Sequence, residues 1–364
     1  MVKVLTVLGT RPEIIRLSRI IPKLDAACEN KIFHTGQNYD PKLNDIFFDE
    51  LRLRRPDFQI NSKSDTLGEQ IASIVVGAEG VLKSFKPDKI LVLGDTNSSL
   101  TAIIAERLGF PVYHMEAGNR CFDRKVPEEI NRKMIDAVSS FNIPYTQSSR
   151  ENLLKDGVAR TKIFVSGNPI HEVIEYYKND IDSSNILKQL LIEKNKYILV
   201  TAHRAENVDL GYRLTHIFEA LEKIASKYQM PVIFSCHPRT KKKFEEFKIY
   251  TDNQFIKICE PFGFFDFVNL EKNAFCVITD SGTVQEECCL LHVPAVTIRD
   301  TTERPETIDC GSNMLSGLNT QDIISCFDTM CKSTREWEYP EGYFVNNVSD
   351  KMVKLILGKN QITY

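Results

Sequence analysis

The chain has 364 residues, more than one hydrophobic core usually serves and about the length of two ordinary domains. Its 46 Lys and Arg stand against 49 Asp and Glu, a net charge of −3, so no long-range positive field gathers nucleic acid or an anionic membrane. With 42% hydrophobic and 26% charged residues the composition excludes a disordered or collagen-like chain, and no apolar run approaches a membrane span.

Residues 1–10 lack the extended apolar region and small-residue cleavage site of a secretory signal. They read instead as a first β-strand of a cytoplasmic protein. Further strands are expected at residues 31–35, 89–93, 111–115, 197–201, 231–235, 255–258, 275–279 and 294–298, where short β-branched runs recur. Amphipathic segments separate them; in residues 98–108, Leu100, Ile103, Ile104 and Leu108 follow helical spacing. This alternation predicts an α/β chain of parallel sheets with helical crossovers. Gly167-Asn168-Pro169 and the polar stretch from Asp180 to Asn185 look like a connection, which puts one domain at 1–170 and a second at 171–346. A final helix over 347–358, with Val348, Met352, Val353, Leu355 and Ile356 apolar, is expected to pack back on the first domain.

The turns after these strands carry the chemistry. A GxGxxG dinucleotide turn and a GxxxxGK[ST] phosphate loop are both absent. In their place stands Gly9-Thr10-Arg11-Pro12-Glu13, with the proline near a helix start and Arg11 where open α/β sheets bind anions. Asp95, in Gly94-Asp95-Thr96-Asn97, and Glu116, in His114-Met115-Glu116-Ala117-Gly118, each end an apolar strand. A lone carboxylate there is often only a helix cap. Two on neighbouring strands, followed by Arg120 and by Glu128 in Pro127-Glu128-Glu129-Ile130-Asn131-Arg132, are harder to explain that way.

In the second half, Thr201-Ala202-His203-Arg204-Ala205-Glu206-Asn207 puts His203 and Arg204 in a loop after a buried strand, a position suited to an anion. Asp280-Ser281-Gly282-Thr283 opens a helix whose unpaired N–H groups suit a diphosphate, with Glu287 placed to accept from ribose hydroxyls. Arg299 to Glu306, including Arg304, is a charged loop that is either a solvated turn or more of a ligand shell. The seven histidines show no HxH or HExxH spacing and the ten cysteines no CxxC pair, so no metal and no cofactor is assigned, and the cysteines read as buried thiols.

Taken together and in order, GTRPE, GDTNS, HMEAG, PEEINR, TAHRAEN, DSGTVQEE and RDTTERPE resemble the non-hydrolysing UDP-N-acetylglucosamine 2-epimerase family. The resemblance implies two facing Rossmann-like domains of the glycosyltransferase-B-like kind with a cleft between them, a UDP-sugar substrate, and a homodimer. It implies Asp95, Glu116 and Glu128 as catalytic carboxylates, His203 near the diphosphate, and Arg11, Arg204, Ser281, Gly282 and Glu287 as UDP contacts. Phe262 looks like the family's residue near the uracil, and Arg304 like part of the substrate shell.

Two departures from the family pattern point to a branch. Arg16 stands where these epimerases typically have Lys, and their EAGLRT becomes Glu116-Ala117-Gly118-Asn119-Arg120-Cys121 with a shortened loop after it. Both look more like the enzymes that convert UDP-2-acetamido-2,6-dideoxy-L-talose to UDP-N-acetyl-L-fucosamine for capsule or O-antigen. The rivals are the plain glucosamine substrate, a hydrolysing epimerase, a glycosyltransferase of similar architecture, and a nucleotide-sugar sensor. A pure binder gains nothing from grouping like charges.

Overall fold

The computed structural model describes residues 1–37, 41–62, 64 and 66–359. The chain divides into two compact units, Met1–Tyr176 with Glu341–Tyr364, and Tyr177–Pro340. The first change of unit thus falls after Tyr176 rather than at residue 170. Helix Ile170–Tyr176 buries Ile170, Val173 and Ile174 and packs against helix Arg11–Leu17, which holds it to the first unit. The chain returns to that unit at Glu341, ahead of the last helix rather than at its start. Helix Val348–Leu357 then lies on helix Ile20–Ala27, with Val348, Met352 and Ile356 fully buried.

In the first unit, β1 (Lys3–Leu8), β2 (Glu29–His34), β3 (Phe58–Gln59), β4 (Lys89–Leu93), β5 (Val112–Met115) and β6 (Phe141–Ile143) form one parallel sheet in the order β3-β2-β1-β4-β5-β6. In the second, β7 (Ile198–Thr201), β8 (Val232–Ser235), β9 (Ile256–Cys259), β10 (Cys276–Thr279), β11 (Ala295–Thr297) and β12 (Asn313–Leu315) are parallel in the order β12-β11-β10-β7-β8-β9. Read from its own first strand, the second sheet repeats the order of the first. Both are doubly wound. Every strand expected from the sequence is present within one or two residues; β3, β6 and β12, which end the sheets, were not expected. These have two or three residues each, too few to show a pattern of their own.

The apolar runs have a direct cause, since a sheet covered by helices on both faces must be apolar on both. Alternate residues of the second sheet divide between two cores. Ile198, Val200, Val232, Phe234, Cys276 and Ile278 enter one, which includes Leu214, Phe218 and Leu221 of helix Gly211–Tyr228. Leu199, Ile233, Val277 and Ala295 enter the other, beside Leu270, Val284 and Cys288. The chain's one tryptophan, Trp337, donates its indole N–H to the carbonyl of Cys289 at 2.9 Å and stacks on His292. Among the described residues no helix is long and apolar enough to cross a membrane.

Candidate active site

In a doubly wound sheet the connections leave the two central strands toward opposite faces, and the strand ends between them stay uncovered. Those strands are β1 and β4 in the first unit and β7 and β10 in the second. The turns that follow them hold Arg11 and Asp95, and His203, Arg204, Ser281 and Gly282 respectively. Glu116 ends β5, the neighbour of β4.

In the first unit, Glu13 ties the two central turns together. Its carboxylate accepts from the Gly9 and Thr10 N–H groups at 2.5 and 2.9 Å and from the Thr96 hydroxyl at 2.5 Å. Burial raises its pKa to about 7 against the opposing pull of those donors. Gly9 has no room for a side chain, because a Cβ would stand 2.1 Å from the Thr35 hydroxyl and 2.2 Å from that of Ser98.

Asp95 is held by a buried arginine: Arg132 donates from Nε at 2.8 Å and approaches through Nη2 at 2.7 Å, while its Nη1 meets Glu129 at 2.8 Å. Glu116 has a left-handed backbone, φ 66°. Buried Arg16 pairs with its carboxylate, and the Asn119 amide donates to the same group at 3.4 Å. A Cβ placed on Gly94 would lie 3.8 Å from a Glu116 carboxylate oxygen, so Glu116 stands beside the turn that bears Asp95. Glu128 is half-buried in the first turn of helix Pro127–Val138. Arg11 is half-buried with no carboxylate paired to it among the described residues, and burial lowers its pKa.

Beneath these turns lies a buried charge network the sequence did not disclose. His114 Nε2 donates to the Gly94 carbonyl at 2.9 Å, and Nδ1 lies 2.9 Å from Asp136. Asp136 also meets Arg120 at 2.7 Å and accepts from the Gly118 N–H at 3.1 Å; Arg120 continues to Asp156 at 2.8 Å. Burial opposes charge on His114, but Asp136 and the Gly94 carbonyl outweigh it and raise the imidazole pKa. The network pins the backbone on both sides of the carboxylates, at Gly94 and at Gly118.

In the second unit the organiser is Asp280, fully buried at the end of β10. It accepts from the His203 N–H at 2.9 Å, the Arg204 N–H at 2.9 Å and the Asn207 amide at 3.0 Å, and the His203 ring nitrogen Nδ1 faces it at 3.3 Å. Helix Gly282–Leu290 starts immediately afterwards, with Ser281 as a cap that makes no side-chain capping bond. A Cβ on Gly282 would meet the Glu303 carboxylate at 2.5 Å and the Arg304 guanidinium at 3.7 Å. Arg204 faces Glu303 at 3.5 Å, and Arg304 pairs with Glu286. Glu287 is buried on the same helix, and Phe262 is half-buried against the second of the two cores. The structure thus gathers Arg204, Ser281, Gly282 and Arg304 around one helix start.

A family model described as UDP-N-acetylglucosamine 2-epimerase matches residues 23–357. The chain belongs to that family. A Methanococcus maripaludis UDP-N-acetylglucosamine 2-epimerase is 41% identical over 370 residues, 99% of this chain and 100% of the relative. The Methanocaldococcus jannaschii enzyme of the same name is 44% identical over 349 residues, 93% of this chain and 95% of the relative. A crystal structure of Methanocaldococcus jannaschii UDP-GlcNAc 2-epimerase in complex with UDP-GlcNAc and UDP matches with a TM-score of 0.92 at 41% identity, covering 97% of this chain and 99% of that one. The fold is glycosyltransferase-B-like, and the protein is an enzyme, a UDP-sugar 2-epimerase.

Glu13, Arg132, His114, Asp136 and Asp280 were not singled out from the sequence. Part of the signal was there: Glu128, Arg132 and Asp136 follow one another at four-residue spacing along one helix face.

The fold favours protonated His114, so its contribution to stability is complete below the ordinary value of 6.5 and is lost as pH rises through the raised value. Glu13 adds a similar loss, but one confined between its ordinary 4.5 and about 7. Thermal melts are therefore expected to show a decline above pH 7 that His114→Gln flattens. An unaltered slope in that variant refutes the charged imidazole.

Proposed function

We propose that this 2-epimerase converts UDP-2-acetamido-2,6-dideoxy-L-talose to UDP-N-acetyl-L-fucosamine, eliminating UDP to leave a 2-acetamidoglycal and re-adding it with a proton delivered to the opposite face of C2. The observation that carries the chemistry is the pair of arginine-held carboxylates, Asp95 and Glu116, at the ends of adjacent strands. C2 has no neighbouring carbonyl to stabilise a carbanion. Leaving of UDP first places positive charge at C1 and acidifies the C2 proton.

Two tasks follow. Negative charge on the departing diphosphate is met by Arg11, His203, Arg204, Arg304 and the opening N–H groups at Ser281 and Gly282. Acid and base work falls to Asp95, Glu116 and Glu128, each needing a position about 2.6–3.2 Å from its proton or one water away. Glu287 takes the ribose hydroxyls and Phe262 lies by the uracil. The role of product in capsule or O-antigen synthesis belongs to the same reading.

The surroundings of Glu116 support the 6-deoxy substrate. Arg120 is committed to Asp136 and Asp156, and buried Asn119 to Glu116 and Ser149, so Phe122, 74% exposed with φ 57°, is the group that segment 119–122 offers a sugar. An exposed ring suits a C6 methyl. The second reading, UDP-N-acetylglucosamine as substrate, is favoured by the names of the relatives at 41% and 44% identity.

A homodimer is part of the proposal. Ile130, Met134 and Val138 form an exposed apolar row at four-residue spacing on helix Pro127–Val138. Sedimentation is expected to give a dimer that Met134→Glu weakens, and a monomeric wild type overturns this point.

Asp95→Asn and Glu116→Gln are each expected to lower kcat by roughly 10²–10⁴ while UDP affinity stays near wild type. Wild-type turnover in D₂O should place deuterium at C2 of the product, and full conversion without label rules out exchange through these carboxylates. For the substrate, kcat/KM is expected to favour the 6-deoxy-L-talose nucleotide by about 10²-fold, since an apolar site rejects an added hydroxyl only that strongly. A preference for UDP-N-acetylglucosamine removes the branch assignment and leaves the epimerase intact.

A further inference from the structure

Cys289, in the last turn of helix Gly282–Leu290, is fully buried, while Cys310, the cap at the C-terminal end of helix Pro305–Asp309, is half-buried between exposed Asp309 and Gly311. Their sulfurs lie 3.7 Å apart, both as free thiols. The Ser312 Oγ stands 3.3 Å from the Cys310 sulfur and the Thr307 carbonyl 3.5 Å from the same atom. The proposed epimerase chemistry makes no use of this cluster. The two helices are docked beside it by other contacts: Arg304, at the start of the second, pairs with Glu286 of the first, and the Thr302 hydroxyl donates to Gln285 at 2.7 Å. The two sulfurs are thus held against each other by the fold around them.

We propose that Cys289 and Cys310 form a site of oxidation by a small peroxide, with Cys310 the thiolate that meets the oxidant and Cys289 the thiol that resolves it to a disulfide. With hydrogen peroxide, the Cys310 sulfur attacks one oxygen; an S–O bond forms, the O–O bond breaks, and the other oxygen leaves as hydroxide, which takes up a proton to become water. The Cys289 sulfur then attacks the sulfur of the Cys310 sulfenic acid. An S–S bond forms, the S–O bond breaks, and the hydroxyl departs as water with the Cys289 proton. Two thiols and one hydrogen peroxide have then given one disulfide and two waters.

Exposure assigns the roles, since an oxidant from solvent reaches Cys310 and not the fully buried Cys289. A disulfide needs its sulfurs about 2.05 Å apart. The remaining closure from 3.7 Å falls to the half-buried partner, at the end of a five-residue helix, rather than to Cys289 in the core. Electrostatics agree with the geometry: the hydrogen bond from Cys289, joined by Ser312, outweighs burial and lowers the Cys310 pKa, while the same bond, with burial, raises that of Cys289. Burial also pushes up the thiols of Cys236, Cys259, Cys276 and Cys288. Of these, Cys310 alone gains thiolate character. The resulting bridge would tie together the helix that begins at Gly282 and the segment that carries Arg304.

The test is a hydrogen peroxide titration of the full chain at neutral pH, with maleimide trapping of the remaining thiols and peptide mapping by mass spectrometry before and after dithiothreitol. The first two of the chain's ten thiols to be lost are expected to be Cys289 and Cys310, their peptides joined and then released on reduction. In Cys289→Ala the sulfenic acid at Cys310 has no resolving partner and should be captured by dimedone, whereas wild type gives the disulfide instead. Cys310→Ala should leave Cys289 reduced at the same peroxide concentration. The proposal is overturned if Cys310 stays reduced while other cysteines are oxidised, if it joins any other cysteine or a second chain, or if dimedone capture is equal in wild type and Cys289→Ala. Should either variant not fold, the wild-type map decides.

Discussion

A carboxylate taken out of water must be met by donors, and in this protein that requirement fixes the geometry of the turns after β4, β5 and β7. The effective penalty for a buried ion is several kcal/mol even after relaxation, more than a turn can carry uncompensated. Asp95 is met by Arg132, Glu116 by Arg16, Asp136 by His114 and Arg120, and Asp280 by two backbone N–H groups and an asparagine amide. Each partner fixes the carboxylate in turn. The side chains are therefore held in place before any ligand arrives, the condition under which electrostatic stabilisation costs no reorganisation during reaction.

The two units satisfy the requirement differently. In the first, cationic side chains meet the carboxylates: Arg132 at Asp95, Arg16 at Glu116, and His114 with Arg120 at Asp136. In the second, Asp280 draws mainly on neutral N–H donors, and the loop it organises carries His203 and Arg204 beside a helix start.

The fold and the turns were legible in the sequence because they are written in short-range patterns: apolar runs of strand length, helical spacing between them, and chemistry-bearing residues at the junctions. Strands β3, β6 and β12 were not, being short strands at the sheet edges, defined by pairing more than by their own composition. The buried partners were hidden for a different reason. Arg16 and Glu116 are a hundred residues apart, and His114 and Asp136 meet only because β5 and helix Pro127–Val138 pack together. An arginine that neutralises a buried acid looks, in sequence, like any other arginine.

Helix Gly282–Leu290 has one more property. Trp337, bonded to the Cys289 carbonyl in its last turn, is the only tryptophan in the chain. Indole emission depends on burial and on the partner of the N–H, so the tryptophan fluorescence of this protein reports on one end of a single helix. The other end is the start beside Gly282. The molecule thus carries an intrinsic optical gauge, without a dye or an engineered label, on the rod that joins the turn at Ser281 and Gly282 to the aromatic cluster of His292 and Trp337.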